Sequence, residues 1–123
     1  MHFVLLFLVM ACVTMVQAAE LVKERDVIIY QDDHFHSAFP SIVKLPSGEL
    51  LCAFRRAPER RAYGEKGTSH TDPNSYLVLV RSTDNGRSWS ERAELIFAHP
   101  FGGSQDPCMI RLQDGSILCA SYG

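Results

Sequence analysis

Short apolar runs separated by turn residues predict β-strands along most of the chain. Each run is rich in Leu, Ile, Val and Phe and is bounded by Gly, Pro, Asn, Asp or Ser, a composition typical of strands that are buried on both faces. We predict strands at residues 27–30, 40–45, 49–55, 76–82 and 88–97. A further pair of strands begins near residue 106. The pattern therefore predicts an all-β fold.

Two stretches of the chain are near-copies of one another. Residues 40–53 align without a gap on residues 107–120, at an offset of 67 positions. Each copy reads as strand, turn, strand, with Ser-Gly or Asp-Gly at the reversal. Repeated small sheets that cannot cover their own faces are typical of β-propellers, so we expect the copies to stack. The identical pairs are Pro40/Pro107, Leu45/Leu112, Gly48/Gly115, Leu51/Leu118, Cys52/Cys119 and Ala53/Ala120.

Residues 82–89 read S-T-D-N-G-R-S-W and predict a tight corner between two strands. An Asp at this place accepts hydrogen bonds from backbone amides further on, and Asn and Gly tolerate positive φ. Trp89 supplies a ring that folds over the turn, and Ser82 a hydroxyl that ties its arms together. Ser82, Asp84, Gly86 and Trp89 resemble the Asp-box, or BNR repeat, of the sialidase-type β-propellers. The resemblance implies a structural role for these four residues, away from the substrate.

The resemblance covers residues 27–123 and implies a six-bladed sialidase-type propeller, of which about one and a half blades are present. The first blade would span about residues 40–97 and the second would begin at about residue 106. Residues 27–30 would be a closing strand added to the last blade. Because two stacked blades leave large apolar faces exposed, we expect residues 20–123 to be the N-terminal part of a longer protein. A small, complete β-sandwich is the alternative, but it does not explain a chain that ends inside a repeat.

Residues 1–19 predict a signal peptide, because they contain 16 apolar residues and no Asp, Glu, Lys or Arg. Cleavage is expected after Ala18 or Ala19. The mature protein would then be secreted, extracellular or periplasmic. The alternatives are a retained anchor, since about 20 apolar residues cross a bilayer, and a bacterial lipoprotein modified at Cys12. A membrane is expected as a partner only if the leader is retained.

Cysteine usage and charge narrow the classes of function. Cys52, Cys108 and Cys119 remain after cleavage, an odd number, so at least one thiol stays free or bonds elsewhere. No C-x-x-C motif occurs and the histidines are scattered, so we predict no metal site and no cofactor. The formal net charge of −2 does not indicate nucleic-acid binding. Nine of the 12 basic residues are Arg, whose planar fork matches a carboxylate and favours an anionic substrate.

The connection between the second and third predicted strands is the candidate site. It spans residues 56–75, and its roughly 20 residues far exceed a usual hairpin loop. Excess length in a compact domain usually indicates function or disorder, and a solvated polar loop is the alternative for its individual residues. Its candidate side chains are Arg56, Arg60, Arg61, His70 and Asp72.

The resemblance to sialidases also implies a particular chemistry. These enzymes use a Tyr nucleophile assisted by a Glu, three arginines that hold the substrate carboxylate, and an Asp acid/base in the first blade. Only the first arginine and the Asp would fall within this chain. The expected Arg-Ile-Pro motif reads Ala38-Phe39-Pro40 here, so its arginine is missing. Arg55 and Arg56, at the end of the second strand, are the best substitutes, and His36 is a further candidate for substrate binding.

Two aspartates complete the predicted site. Asp72 lies in the expected loop, before the strand that enters the Asp-box, and we predict it as the catalytic residue. Asn74 aligns about as well but does not donate a proton usefully. Asp106 precedes the innermost strand of the second blade and is predicted to point toward the axis and bind substrate. An Asp that caps the chain before Pro107 is the alternative interpretation.

The leading hypothesis is an exo-acting glycoside hydrolase that releases terminal sialic acid or a related acidic sugar from glycans. Its partner would be a sialylated or other acidic glycan. The alternative is a non-catalytic Asp-box propeller that binds glycans or proteins, which Ala38 favours because one fold hosts many functions. A third hypothesis keeps the enzyme but assigns it a non-sialic glycan, with a pair of carboxylates as catalysts.

Overall fold

The computed structural model describes residues 20–67 and 70–123, which form an all-β fold. The predicted signal peptide lies outside the described residues. Within the described part of the chain, no helix is long and apolar enough to cross a membrane. A short 3₁₀ turn, Arg60–Tyr63, follows the second strand. The six strands are β1 Phe35–Lys44, β2 Leu50–Pro58, β3 Tyr76–Ser82, β4 Glu94–Phe97, β5 Gln105–Arg111 and β6 Ile117–Tyr122.

The strands form two antiparallel sheets. The first has the order β1-β2-β3-β4, and the second pairs β5 with β6. The two predicted hairpins are confirmed and equivalent, since the amides of Leu45 and Leu112 each donate to the carbonyl four residues further on, at 2.8 Å in both. Gly48 and Gly115 in these turns have φ values of 91° and 87°, which residues with a Cβ rarely adopt. The sequence duplication is therefore a duplication of local structure.

The first strands of both sheets also share a β-bulge. The register of β1 shifts after Ala38, and that of β5 shifts after Gln105. The next residue in each strand, Phe39 or Asp106, has a positive φ of 56° or 41° respectively. These two residues are separated by the same 67 positions as the rest of the repeat. The structural repeat thus begins before residue 40, and β1 starts earlier than predicted.

The two sheets pack against each other through one face of each. Ser41 in β1 accepts a hydrogen bond at its hydroxyl from the Met109 amide in β5, at 2.9 Å. Apolar side chains fill the space beside this contact, so the expected stacking of the two copies is present. The cluster contains Leu51, Ala53 and Leu79, packed against Val43, Leu45, Met109 and Ile117.

The opposite face of the first sheet is covered by the segment before β1. Ile29 and Tyr30 pack there on the buried side chains of Cys52, Phe54, Val78 and Val80. The rings of Tyr30 and Phe54 lie 5.0 Å apart. Within the described chain, residues 27–30 therefore form no strand: Ile29 and Tyr30 are partly buried on a sheet face, whereas Val27 and Ile28 are exposed. That residues 27–30 close the last blade stays a prediction.

The fourth strand is also shorter than predicted. Residues 88–97 were expected to be extended, but β4 spans only Glu94–Phe97. The residues before it belong to the corner, where the Ser90 amide donates to the Arg81 carbonyl at 2.9 Å. The Ser90 hydroxyl in turn accepts from the Arg81 amide at 3.1 Å. Because the Ser90 side chain takes the place of a backbone acceptor, regular strand pairing starts only after the corner.

Candidate active site

One edge of the two sheets gathers the charged side chains. In an antiparallel pair the start of one strand lies beside the end of the next. The starts of β1, β3 and β5 and the ends of β2 and β6 meet in this way, and we call this the upper edge. Ala38 pairs there with Arg55, and Gln105 with Tyr122. The long connection after β2 leaves from the same edge.

Arg55 is a buried cation at the upper edge. The residue is 1% exposed, and its position in β2 places it on the same face as Leu51 and Ala53, toward the second sheet. Burial lowers the pKa of Arg55, while the nearby charges of Asp72 and Asp106 oppose that shift. Arginine nevertheless remains protonated in proteins. The upper edge thus holds a permanent positive charge that is shielded from water.

Asp72 is held in an ion pair with Arg60. The Arg60 Nε and Nη2 atoms donate to the two carboxylate oxygens at 2.8 and 3.1 Å, and the Asn74 amide donates to Oδ1 at 2.9 Å. The hydrogen bonds from Arg60 lower the pKa of Asp72, although burial opposes this. Asp72 is therefore ionised at neutral pH. This state suits a proton acceptor, and donating a proton first requires the carboxylate to be protonated.

The backbone around Asp72 is fixed by a second segment, which precedes β5. The Ser104 amide donates to the Ser75 carbonyl at 3.0 Å, and the Ser75 hydroxyl donates to the Ser104 carbonyl, also at 3.0 Å. Gly103 approaches so closely that an added Cβ would lie 2.2 Å from the Asp72 carbonyl oxygen. Asp72 is 2% exposed and Ser104 is fully buried. The position of the Asp72 carboxylate thus depends on a glycine more than thirty residues away in the sequence.

Asp106 lies at the start of β5, near enough to Arg55 for its charge to act on that guanidinium. Its Oδ2 atom accepts a hydrogen bond from the Tyr122 hydroxyl at 3.0 Å, which raises the pKa of Tyr122. Its Oδ1 atom is buried and has no hydrogen-bond partner among residues 20–67 and 70–123. The neighbouring Gln105 is 4% exposed and has an Oε1 atom in the same condition. Buried acceptors without donors are costly, so these two oxygens are places where a ligand or a water molecule could donate.

Arg56 and His36 lie apart from this group. Successive residues of a strand point to opposite faces, so Arg56 leaves the sheet on the side away from Arg55. Its guanidinium pairs with Asp32 and lies 3.8 Å from the centre of the Phe35 ring. His36 is exposed and lines a hollow beside Asp32. The structure therefore brings Arg55, Asp72 and Asp106 together and keeps the other two predicted residues away from them.

The predicted corner has the expected turn geometry. Asn85 and Gly86 have φ values of 60° and 83°, the left-handed conformation that Asn and Gly tolerate. The Ser82 hydroxyl donates to Asp84 Oδ1 at 2.8 Å and accepts from the Gly86 amide at 2.9 Å. The Trp89 indole donates to the Gly86 carbonyl at 3.3 Å, and its ring packs on the cluster of buried residues beneath the first sheet. These contacts tie both arms of the corner to the sheet.

Asp84 is the acceptor at the centre of this corner. Its Oδ1 atom also accepts from the amides of Arg87 and Ser88, at 2.9 Å each. The Ser88 hydroxyl donates to Oδ2 at 2.6 Å. These hydrogen bonds hold the pKa of Asp84 far below its ordinary value, with the Ser88 hydroxyl as the largest cause. Asp84 and the upper edge lie at opposite ends of β3, so the four corner residues are far from Arg55 and Asp72.

Sequence reasoning missed the partners of the predicted site residues. Arg60 was recognised as part of the loop, but nothing in the sequence marks it as the counter-ion of Asp72. Nothing in the sequence indicates that Gly103 packs against the Asp72 carbonyl. Tyr122 could have been found, because the offset of 67 places it at the position equivalent to Arg55.

The described residues contain no group of three or more His, Cys, Asp or Glu side chains that could hold a metal ion. The three cysteines among the described residues are all free thiols: Cys52 is buried, Cys119 is partly buried and Cys108 is exposed. Burial raises the pKa of Cys52, so it behaves as a small apolar side chain. The candidate site consists of acidic, basic, amide and phenol groups.

Comparison with known proteins finds a similar solved structure but no matching family model. No curated protein matches the chain either. A solved structure, described as a protein of unknown function from Dyadobacter fermentans DSM 18053, is similar, with 61% sequence identity and a TM-score of 0.79. The match covers 83% of this chain, and the chain spans only 28% of that protein. The relative supports the all-β fold and names no activity.

Proposed function

We propose that residues 20–123 form about one and a half blades of a six-bladed, sialidase-type propeller. We further propose that the complete protein is an exo-acting glycoside hydrolase. Its substrate would be a glycan that ends in sialic acid or a related acidic sugar.

The apolar faces support the ring architecture. Val43, Leu45 and Leu51 of the first sheet pack toward the second sheet. Their equivalents in the repeat are Ile110, Leu112 and Leu118, which are 57%, 42% and 54% exposed. Soluble proteins rarely leave such contiguous apolar surface uncovered. A third sheet stacked in the same way would cover it, and repetition of this step generates a ring.

The length of the matched protein is consistent with this architecture. One and a half blades are about a quarter of a six-bladed ring, and this chain spans 28% of the solved relative. The corner geometry at Ser82, Asp84, Gly86 and Trp89 adds independent support, because each of the four residues makes the contact that an Asp-box fastener requires.

The proposed activity is supported chiefly by the position and burial of Arg55. A buried guanidinium stands directly across the ladder from Ala38, the position at which sialidases would carry an arginine. Arg55 thus offers a positive charge at the place where the expected one is missing. Charge-assisted hydrogen bonds to carboxylates are strong when water is excluded. Arg55 is accordingly assigned to the substrate carboxylate, with further arginines expected from later blades.

Asp72 is assigned to proton transfer. Its carboxylate is rigidly placed by Arg60 and by the segment around Gly103, and rigid placement is what acid–base catalysis requires. The Arg60 contact keeps it ionised, so it is ready to accept a proton from water or a nucleophile. The proton that Asp72 accepts would then pass to the oxygen of the leaving group, which returns Asp72 to its ionised state. Asp106, which accepts a hydrogen bond from the Tyr122 hydroxyl, is the second carboxylate near Arg55.

The test uses the complete protein and 4-methylumbelliferyl α-N-acetylneuraminide, a fluorogenic sialoside. Asp72→Ala should lower kcat by roughly 10²- to 10⁴-fold, the usual effect of losing a general acid or base. Arg55→Lys should raise KM about tenfold or more, because Lys lacks the bidentate fork. Arg81→Lys is the matched control, since Arg81 pairs with Glu49 and Glu94 on the outer part of the sheet. It should leave both constants unchanged.

The outcomes separate the competing functions. A complete protein that cleaves the sialoside equally well with Asp72→Ala would remove Asp72 from the mechanism. Cleavage of neutral aryl glycosides in place of the sialoside would favour Asp72 and Asp106 as a carboxylate pair. Binding of glycans without cleavage would favour the non-catalytic propeller, which is supported by Ala38 and by the firm hold of Arg60 on Asp72.

A further inference from the structure

Ser75 uses all of its hydrogen-bonding groups inside the protein. Its amide donates to the Asp72 carbonyl at 3.1 Å, and its own carbonyl accepts from the Ser104 amide at 3.0 Å. Its hydroxyl donates to the Ser104 carbonyl at 3.0 Å and accepts from the Nε2 atom of Gln105 at 3.3 Å. Ser75 is buried. It therefore joins the turn that begins at Asp72 to the chain that enters β5.

Gln105 is a buried amide whose presence the repeat does not explain. It is the first residue of β5, and the offset of 67 places Ala38 at the equivalent position of β1. Its Nε2 atom is bound to Ser75, whereas its buried Oε1 atom has no partner within the described residues. A buried acceptor without a donor lowers stability, and an apolar side chain of the same length would avoid that cost. The contact with Ser75 is what an apolar side chain would lose.

The Asp72 carboxylate depends on Ser75 for the backbone from which it extends. Arg60 binds the two carboxylate oxygens, but the turn that begins at Asp72 is closed by the Ser75 amide. The Ser75 hydroxyl is held from two sides, by the Ser104 carbonyl and by the Gln105 amide. Loss of either contact should let Ser75 move, and the turn should move with it.

We propose that Ser75 and Gln105 are positioning residues for Asp72. Gln105 holds the Ser75 hydroxyl, and Ser75 holds the turn from which the Asp72 carboxylate extends. A carboxylate carried by the first sheet is thereby placed by the first strand of the second sheet. Both residues act through Asp72, and neither transfers the proton itself. This inference rests on the proposed function, since it takes Asp72 as the group that transfers the proton.

Two variants remove the contacts one at a time. Gln105→Met keeps the length of the side chain and removes both the Nε2 donor and the unpaired oxygen, so the melting temperature should change little. Ser75→Ala removes the hydroxyl and leaves the backbone hydrogen bonds in place. Gln113→Met is the matched control, because Gln113 is exposed in the β5–β6 turn, at the end of these strands opposite to the upper edge.

The assay measures kcat and KM for the fluorogenic sialoside with the complete protein, beside the melting temperature of each variant. Gln105→Met should lower kcat roughly 10- to 100-fold, because small misplacements of a catalytic group reduce rates strongly, and KM should stay within about twofold. Ser75→Ala should lower kcat at least as much. Gln113→Met should leave both constants unchanged.

The deciding measurement repeats Gln105→Met in an Asp72→Ala background. A residue that acts only through Asp72 has nothing left to position there, so the second substitution should change kcat by less than about twofold. If Gln105→Met leaves kcat of the native protein unchanged, or lowers it equally with and without Asp72, the inference is overturned and the proposed function stands. If Asp72→Ala itself keeps the native kcat, or the native protein cleaves no sialoside, the inference and the proposed role of Asp72 both fail.

Discussion

Replacing Gly103 by alanine tests whether a remote glycine sets the position of Asp72. A Cβ at residue 103 would lie 2.2 Å from the Asp72 carbonyl oxygen and 2.5 Å from the Ser75 hydroxyl oxygen. Real Cβ atoms do not approach other heavy atoms this closely, so one of the two segments must move. Neither obstacle is the flexible end of a long side chain, and the carbonyl belongs to the backbone. The substitution should therefore displace the connection that carries Asp72.

The expected cost follows from the contacts that this displacement breaks. The segments are joined by two hydrogen bonds between Ser75 and Ser104, at 3.0 Å each. Each hydrogen bond is worth about 0.5–1.5 kcal/mol, and overpacking a close contact costs about 1–3 kcal/mol. Together these terms predict a loss of about 2 to 6 kcal/mol in the free energy of unfolding. Activity should fall as well, because small misplacements of a catalytic group reduce rates strongly.

The assay compares urea denaturation and sialoside hydrolysis for Gly103→Ala and Gly102→Ala in the complete protein. Gly102 is the matched control, since its nearest obstacle to a Cβ is the His99 ring at 3.8 Å, an ordinary contact. Gly102→Ala should change stability by less than about 1 kcal/mol, as most substitutions away from tight contacts do. If Gly103→Ala is as stable and as active as Gly102→Ala, the proposed positioning of Asp72 by this segment is wrong.

Two further predictions concern the corner at residues 82–89. Ser82→Ala removes the acceptor of the part-buried Gly86 amide and should lower the free energy of unfolding by about 1–3 kcal/mol, with kcat unchanged. A stability within error of the native protein would contradict the fastener role. Asp84 has a pKa far below its ordinary value, so its stabilising effect is complete above the unfolded pKa of about 3.9 and is lost as the pH falls toward the folded value. The difference in Tm between the native protein and Asp84→Asn should be constant from pH 7 to 5 and shrink below pH 4, and a constant difference down to pH 2 would argue against this account.

Local sequence signals predicted the strands and turns well. The reversals at Gly48 and Gly115 and the corner at Asp84 depend on residues close in sequence, so their chemistry can be read directly. The repeat then predicted which strands would be equivalent and that the two copies would stack. Residues 27–30 show the limit of this reasoning, because an apolar segment packs equally well on a sheet face and in a sheet. Tertiary context decided between the two.

The site was predictable only where it coincided with a motif or a repeat. Arg55, Asp72 and Asp106 were predicted as site residues, and the two aspartates do lie near the Arg55 guanidinium. Arg55 and Arg56 were both predicted to bind substrate, because both lie at the end of the second strand. Successive side chains of β2 point to opposite faces, however, so only Arg55 faces the site. Strand periodicity contained that information. The roles of Arg60 and Gly103 had no comparable signal, since contacts between two loops follow from how the sheets bring those loops together.

The charges at the upper edge limit what this part of the protein contributes alone. Arg55 and Arg60 supply two positive charges, and Asp72 and Asp106 supply two negative ones. Arg60 is already paired with Asp72, and Asp72 and Asp106 both oppose the pKa shift of Arg55, so the local field is nearly balanced. An acidic sugar would gain little net attraction from these four groups, because favourable and unfavourable Coulomb terms cancel at similar distances. Recognition of an acidic sugar then requires further cations from the rest of the ring, whereas a neutral sugar could bind through the free acceptors of Asp106 and Gln105.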